Sequence, residues 1–323
     1  MNISTISRQT FSMNPFADKM FANAKNSLPF YANGAEKFDG LATADQAIKA
    51  GGLDYEVAIK PLFLNNGKFE KVSGINATVR TDSKEVLGYV GDRYKVLQNS
   101  EAFEFFDSLV GQGEAIYETG GIFNNGRTMW LLAKLPEFIR VKSTDDIISK
   151  YVLLTNSHDG TSPVTVKVTP IRVLCANTLT LALKGAQDKI SVRHTTNMHD
   201  KMSQAWQVLG FTNKIYDQFQ EAMDALASKK TNSDDMNSYF KSVFGETTRA
   251  SNVTDEVTQL LETGAGVDDP SLRYTMFHLY NGVTEWVDHH KGFKKGTDTL
   301  EAITVGSGAA LKQKAMKEAL AFV

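Results

Sequence analysis

Apolar and polar positions change rhythm three times along this chain, and each change marks a change of structure. Residues 53–97 alternate in part. LDYEVAIKPLFL, the turn NNG and KVSGINATVRT predict a β-hairpin, and VLGYVGDRYKVL predicts further strand. NSEAFEFFDSLV follows with Phe103, Phe106 and Val110 on one stripe, which predicts a helix over 99–110. Asn99 or Ser100 is placed to cap it, and Glu101 and Glu104 suit its positive end.

The two-residue rhythm returns from 113 to 173. EAIYETGGIFNNGRTMWLLAKL reads as a hairpin with NNG at its turn, and YVLLTNS with TVKVTPIRVL as a second pair around His158–Gly160. CANTLTLALKGA reads as a helix leaving that sheet. Beyond residue 184 the period is helical. ISVRHTTNMHDKMSQAWQVLGFTNKIYDQFQEAMDALAS places Met202, Trp206, Leu209, Ile215, Phe219, Met223 and Leu226 at helical spacing. MNSYFKSVFG, VTDEVTQLLETG, LYNGVTEWVDHHKGF and ALKQKAMKEALAF read as further helices. The expected fold is therefore α+β: an antiparallel-rich sheet core over 53–183, a helical C-terminal region over 184–323, and an N-terminal arm over 1–50 with short helices.

Composition narrows the class without naming a function. The 323 residues are 42% apolar and 22% charged, ordinary for a globular protein. A net charge of −2 offers no global field toward nucleic acid or an anionic membrane. The charge is uneven, however. Residues 231–272 hold eight acids against Lys241 and Arg249, a block of −6, which leaves +4 on the rest. A single cysteine excludes an intrachain disulfide and fits a reducing compartment. No apolar run approaches the ~20 residues of a membrane span, and MNISTISRQTF lacks the apolar stretch of a secretory signal. The expected location is the cytoplasm of a bacterium or an infected cell, with no membrane partner.

The segment from Tyr151 to Thr180 concentrates candidate chemistry: a polar turn with Asn156, His158 and Asp159, then Arg172, Cys175 and Asn177. Asn156, Asp159 and Gly160 have local reasons to stand in a turn. His158 has none, so it is expected at the tip of the sheet as a contact to a ligand or a neighbouring subunit, with Arg172 near the base of the same hairpin. A Cys175, His and Asn177 set has the types of a thiol nucleophile, its base and an orienting group. Yet Leu174, Ala176 and Leu179 surround the sulfur, which predicts a buried, inert thiol. His158, Asp159, His194 and His199 are the types of a metal site, but the spacing of five in RHTTNMH misses one helix face. A nuclease would need clustered carboxylates, and 151–199 offers Asp159 and Asp188. There is no GxxxxGK[ST] phosphate loop. No cofactor and no metal is expected, and an enzyme is the less favoured class.

GYVGDRYKVLQNSEAFEFFDSLV, TGGIFNNGRTMWLLAKLP, LLTNSHDGTSPVTVKVTPIRVLCANTLTLAL, RYTMFHLYNGVTEWVDHH and GSGAALKQKAM resemble, in that order over roughly residues 53–317, the phage/plasmid-like protein family, whose central domain is one of unknown function. The resemblance implies a mobile-element origin and no particular reaction. Residues 1–50 and 231–272 lie outside the resembling blocks. The order helix, hairpin, hairpin, helix over 99–183 is also similar to the core of single-strand annealing proteins, which form rings or filaments and lay single-stranded DNA along a basic groove. That similarity is one of architecture alone.

A strand-binding groove needs cations for phosphates and aromatic faces for bases. Arg93, Tyr94 and Lys95, Arg127 beside Trp130, His158, Lys167 and Arg172, and then Arg193, His194 and Lys201 supply both types. The expected function is binding of single-stranded nucleic acid by a homo-oligomer in recombination or replication. The competing class is an accessory or structural protein of a phage, and strand binding separates the two.

Overall fold

The computed structural model describes residues 20–23, 36–38, 43–110, 116–141, 144, 146–172, 177–178, 189–198, 200, 212–264, 269–293, 302–303 and 306–323. The chain runs β1 (Met20–Asn23), β2 (Glu36–Phe38), α1 (Ala44–Ala50), β3 (Val57–Asn65), β4 (Phe69–Arg80), β5 (Val86–Val90) and α2 (Asn99–Val110). Then come β6 (Ile116–Phe123), β7 (Thr128–Arg140), β8 (Ile147–Ser157), β9 (Val164–Val168), β10 (Ile171–Arg172), β11 (Asn177–Thr178) and β12 (Lys189–Val192). Helices α3 (Thr212–Ser228), α4 (Ser233–Phe244), α5 (Thr248–Thr263), α6 (Met276–Glu285) and α7 (Ser307–Leu320) complete it. A π-helical turn, Trp286–His290, continues α6. The fold is α+β, as the periodicity predicts.

The large sheet has the order β11-β10-β8-β7-β6-β1-β2, with β9 also on β8 and β12 on β9. Among the described residues its pairs are antiparallel apart from β1 with β2. Two predicted helical stretches are corrected here. Asn177–Thr178 pairs with β10, and Lys189–Val192 pairs with β9, so both are strand. Pairing with an open strand edge overrides the weak helical signal of such short runs. Met202, Trp206, Leu209 and Cys175 lie outside the described residues. Two pieces of the N-terminal arm, β1 and β2, are strands that extend the sheet, where short helices were expected.

Alternation along β7 and β8 sends side chains to two cores. Trp130, Leu132, Tyr151 and Leu153 pack with Phe219 and Met223 of α3, Phe277 and Tyr280 of α6, and Met316 of α7. Met129, Leu131, Val152 and Leu154 pack on the other face with Ala47 of α1, Phe103 of α2 and Leu53. The sheet is thus sandwiched between a thin layer, α1 and α2, and a thick helical one. Helix starts follow local capping chemistry. Thr43 with Gln46 and Asn232 with Asp235 form capping boxes, and Thr247 and Thr275 cap α5 and α6. Helix α6 is buried along its whole length, and behind it Lys312 reaches Asp288 at 2.5 Å inside the thick layer. No helix among the described residues is long and apolar enough to cross a membrane.

Strands β3, β4 and β5 form a separate three-stranded sheet. Pro61 pairs with Asn76 but Phe63 with Lys71, so β4 holds the extra residues of a bulge, where Gly74 takes φ 80°. Beyond the bulge, β3 and β4 continue as a two-stranded ribbon, because β5 pairs with β4 over residues 76–79.

Candidate nucleic-acid interface

The two hairpin turns of the large sheet lie at the same end and dock on the small sheet. In the β6–β7 turn, Asn124, Asn125 and Gly126 have φ of 51°, 58° and 88°. Asn tolerates that left-handed region better than other side chains, and Gly suffers no penalty there. The Tyr55 hydroxyl donates to the Gly126 carbonyl at 2.7 Å. The Arg80 guanidinium lies 3.8 Å over the Tyr55 ring and donates to the Asn125 carbonyl at 3.3 Å. Burial pushes the Tyr55 phenol up to about 12, so it stays a neutral donor.

The β8–β9 turn is organised by Asp159, whose carboxylate accepts from the Thr161 amide at 2.9 Å, the Thr161 hydroxyl at 2.6 Å and the Ser157 hydroxyl. It rests directly on β5. A Cβ at Gly88 would stand 2.5 Å from the Asp159 Cα, so only glycine permits this approach.

Behind that turn lies His158, which is fully buried. The expectation that it stands at the tip as a ligand contact is corrected: it points inward. Its Nε2 is 2.9 Å from Asn99 Oδ1. Asn99 donates its amide to the carbonyls of Leu53 and Tyr55, so its oxygen faces the ring and Nε2 carries the proton. Asn99 therefore ties the first turn of α2 to the chain before β3 instead of capping the helix. Burial, with His194 adding to it, pushes the His158 imidazole down to about 3. The ring is neutral at any ordinary pH, and its Nδ1 has no hydrogen-bond partner among the described residues.

Trp130 is corrected in the same way. It is 2% exposed and stacks on Phe123 with ring centroids 5.8 Å apart, facing the thick helical layer. Inward parity on β7 leaves no face for a base.

Four of the expected residues do converge. The loop after β5 and the loop after β12 meet where Tyr94 stacks on His194, centroids 4.6 Å apart and planes at 21°. The Lys95 amide donates to the His194 carbonyl at 3.1 Å, and His194 Nδ1–H donates back to the Lys95 carbonyl at 3.0 Å. Burial lowers the His194 pKa, and burial with the Asp159 charge raises that of Tyr94, whose hydroxyl donates to the Ser157 carbonyl at 2.9 Å. This junction floors a cleft of about 920 Å³, walled by Gly91–Tyr94, the 160–163 turn and Arg193–Thr195. Arg93 and Arg193 are both exposed there, and neither has an ion-pair partner among the described residues. Asp92 shares the wall but is held by Asn76 at 2.9 Å. With Asp92 as the one acid against Arg93 and Arg193, the described lining of the cleft carries a net positive charge, and guanidiniums are the side chains whose donor geometry suits an anion such as phosphate.

The remaining expected residues scatter. Lys95 is exposed beside the cleft, and Arg127 is exposed on the neighbouring turn. Lys167 is half-buried on β9 opposite Lys189. Arg172 pairs with Ile148, at the base of the hairpin as expected. That is about 30 Å of strand from the turn, so it shares no site with it. Lys201 and His199 lie outside the described residues. Among the described residues, no group of three His, Cys, Asp or Glu could hold a metal ion.

The sequence reading missed the small sheet's exposed aromatics. Phe63 is 53% exposed, Phe69 77% and Tyr89 62%. A signal was available: LFL places apolar side chains on both faces of one strand, next to a hairpin turn that has no third strand to cover it.

A mixed sheet clad by helices, with a cleft bearing Arg93 and Arg193 at its turn end, makes this an α+β protein. The chain belongs to the family described as Domain of unknown function (DUF932), which matches residues 86–304 and so takes in β6 to β12 of the large sheet, the loops that carry Arg93 and Arg193, and most of the helices. No curated protein and no solved structure matches it.

Proposed function

We propose that this chain binds single-stranded nucleic acid non-catalytically, through the cleft between Arg93 and Arg193. Several copies acting on one strand, in recombination or replication of a phage or plasmid in the cytoplasm of its host, fit the sequence resemblance. The observation that carries the reading is the pair of exposed arginines, without ion-pair partners among the described residues, presented by two loops that the Tyr94–His194 stack holds in fixed relation. Guanidiniums so held are suited to backbone phosphates, and backbone contact is what a strand binder without sequence preference requires.

The test is titration of the purified chain with labelled single-stranded and duplex oligonucleotides at several salt concentrations. Binding should favour the single strand and weaken as salt rises, with a log–log slope of about −0.7 per phosphate contact. The double variant Arg93→Ala/Arg193→Ala should lose roughly two units of that slope's contact number together with most of the affinity. Absence of binding at low salt, or equal affinity for duplex, would remove the reading.

A further inference from the structure

Nine large hydrophobic residues are exposed among the described residues, and six of them, Ile59, Phe63, Leu64, Phe69, Val86 and Tyr89, belong to the small sheet. Such concentration is unusual for scattered surface residues and marks an interaction surface. It is densest on the ribbon beyond the bulge, residues 62–73, where two strands have no third strand and no packed layer among the described residues. An isolated ribbon of this kind is marginally stable in water unless something covers it.

Register shows which residues share its faces. Phe63 pairs with Lys71 and Asn65 with Phe69, so these four stand on one side, while Leu64 and Glu70 pair on the other. The aromatic side therefore bears a cation, and the ribbon's acid points away from it. Along β3, Ile59, Pro61 and Phe63 alternate onto the same face. At the root of that face, Pro61 lies opposite Asn76, which holds Asp92 of the cleft wall, and Ile59 lies opposite Thr78, which pairs with the Gly88 that carries the Asp159 turn. The face with Phe63 and Phe69 is thus continuous with the arginine cleft. Lys68 adds a second positive charge at the ribbon's tip.

We infer that the ribbon is the base-stacking platform of the nucleic-acid path: bases of a strand leaving the cleft stack on Phe63 and Phe69, while Lys68 and Lys71 take its phosphates. The inference rests on the strand-binding reading of the cleft. It supplies the aromatic faces that Trp130 and Tyr94, one buried and the other stacked on His194, do not. Charge complementarity selects the occupant. A polyanion with flat apolar bases matches a surface of two phenyl rings bordered by lysines.

The experiment is fluorescence anisotropy with two oligothymidylates, one of about four nucleotides that the cleft alone accommodates and one of about twenty that also reaches the ribbon. The double variant Phe63→Ala/Phe69→Ala should bind the short oligonucleotide as the unaltered chain does. It should bind the long one about ten- to a hundredfold more weakly, since one stacked base accounts for roughly tenfold. Arg93→Ala/Arg193→Ala should weaken both. In Phe69→Trp, which keeps an aromatic face, the indole fluorescence should be quenched by the long oligonucleotide and not by the short one. Equal long-strand affinity in the phenylalanine double variant, or an unquenched indole, overturns the platform while leaving the cleft reading intact. So does a change in sedimentation of that variant with unchanged strand binding, which would assign the face to contact between copies. Failure of the unaltered chain to bind either oligonucleotide overturns both readings together.

Discussion

The two ends of the small sheet are made by the same strands and have opposite fates. At its root, Thr78 is fully buried, Gly88 lies beneath the Asp159 backbone, and Tyr55 and Arg80 clamp the β6–β7 turn. At its tip, Phe63 and Phe69 are exposed, with no layer against them among the described residues. Composition does not explain the contrast, since the root buries polar groups and the tip exposes apolar ones. What differs is the presence of an opposing surface. Hydrogen-bond partners on the large sheet's turns make polar burial tolerable at the root, because a satisfied buried polar group costs little compared with an orphaned one. The root is therefore held by its partners, and the tip is left exposed.

Acid should break the contrast most severely. The folded-state pKa of His158, about 3, lies below the ordinary value near 6.5, so the unfolded chain binds the proton first. The stability tied to the neutral ring is fully present above about pH 6.5 and is lost as pH falls from there toward 3. The lowered pKa of His194 acts in the same direction. Urea unfolding followed from pH 7 to pH 4 should show a loss of several kcal/mol. A His158→Gln variant should show a shallower slope over the same range, and an unaltered slope would mean that other groups set the acid response.

Next in size comes His158→Ala. It opens a cavity and strips Asn99 Oδ1 of its partner, so it should cost about 3 kcal/mol in a thermal or urea melt. A cost within half a kcal/mol would return His158 to the surface role that its place in a turn suggests.

Phe69→Ala should have the smallest effect on stability, within about 0.5 kcal/mol, because the side chain is 77% exposed. A loss of 2 kcal/mol or more would show that the ribbon is already covered in the free protein, and would erase the distinction between root and tip.

Much of the scaffold was legible along the chain. The NNG turns, the alternation of β7 and β8 and the helical stripes of α3 to α7 are local signals, and each describes its own element. The short strands β11 and β12 were hidden, since two to four residues have no measurable period and become strands by finding an open edge. Half of the site was legible too. Arg93, Tyr94, Arg193 and His194 belong to the residues chosen for charge and aromaticity, and they meet at one cleft although 99 residues separate the Lys95 and His194 partners.

The sequence by itself determined the class of fold, the hairpin turns and the kinds of side chain available for binding, because propensity and periodicity act over a few neighbours. Only the tertiary structure decided which of those side chains are free to act. Trp130 and His158 look like binding residues in the linear text, yet alternation and packing turn both inward. Phe63 and Phe69 look like core, yet the bulge at Gly74 carries them past the last strand that could have covered them. Burial is a property of what stands opposite a residue, and what stands opposite comes from far along the chain.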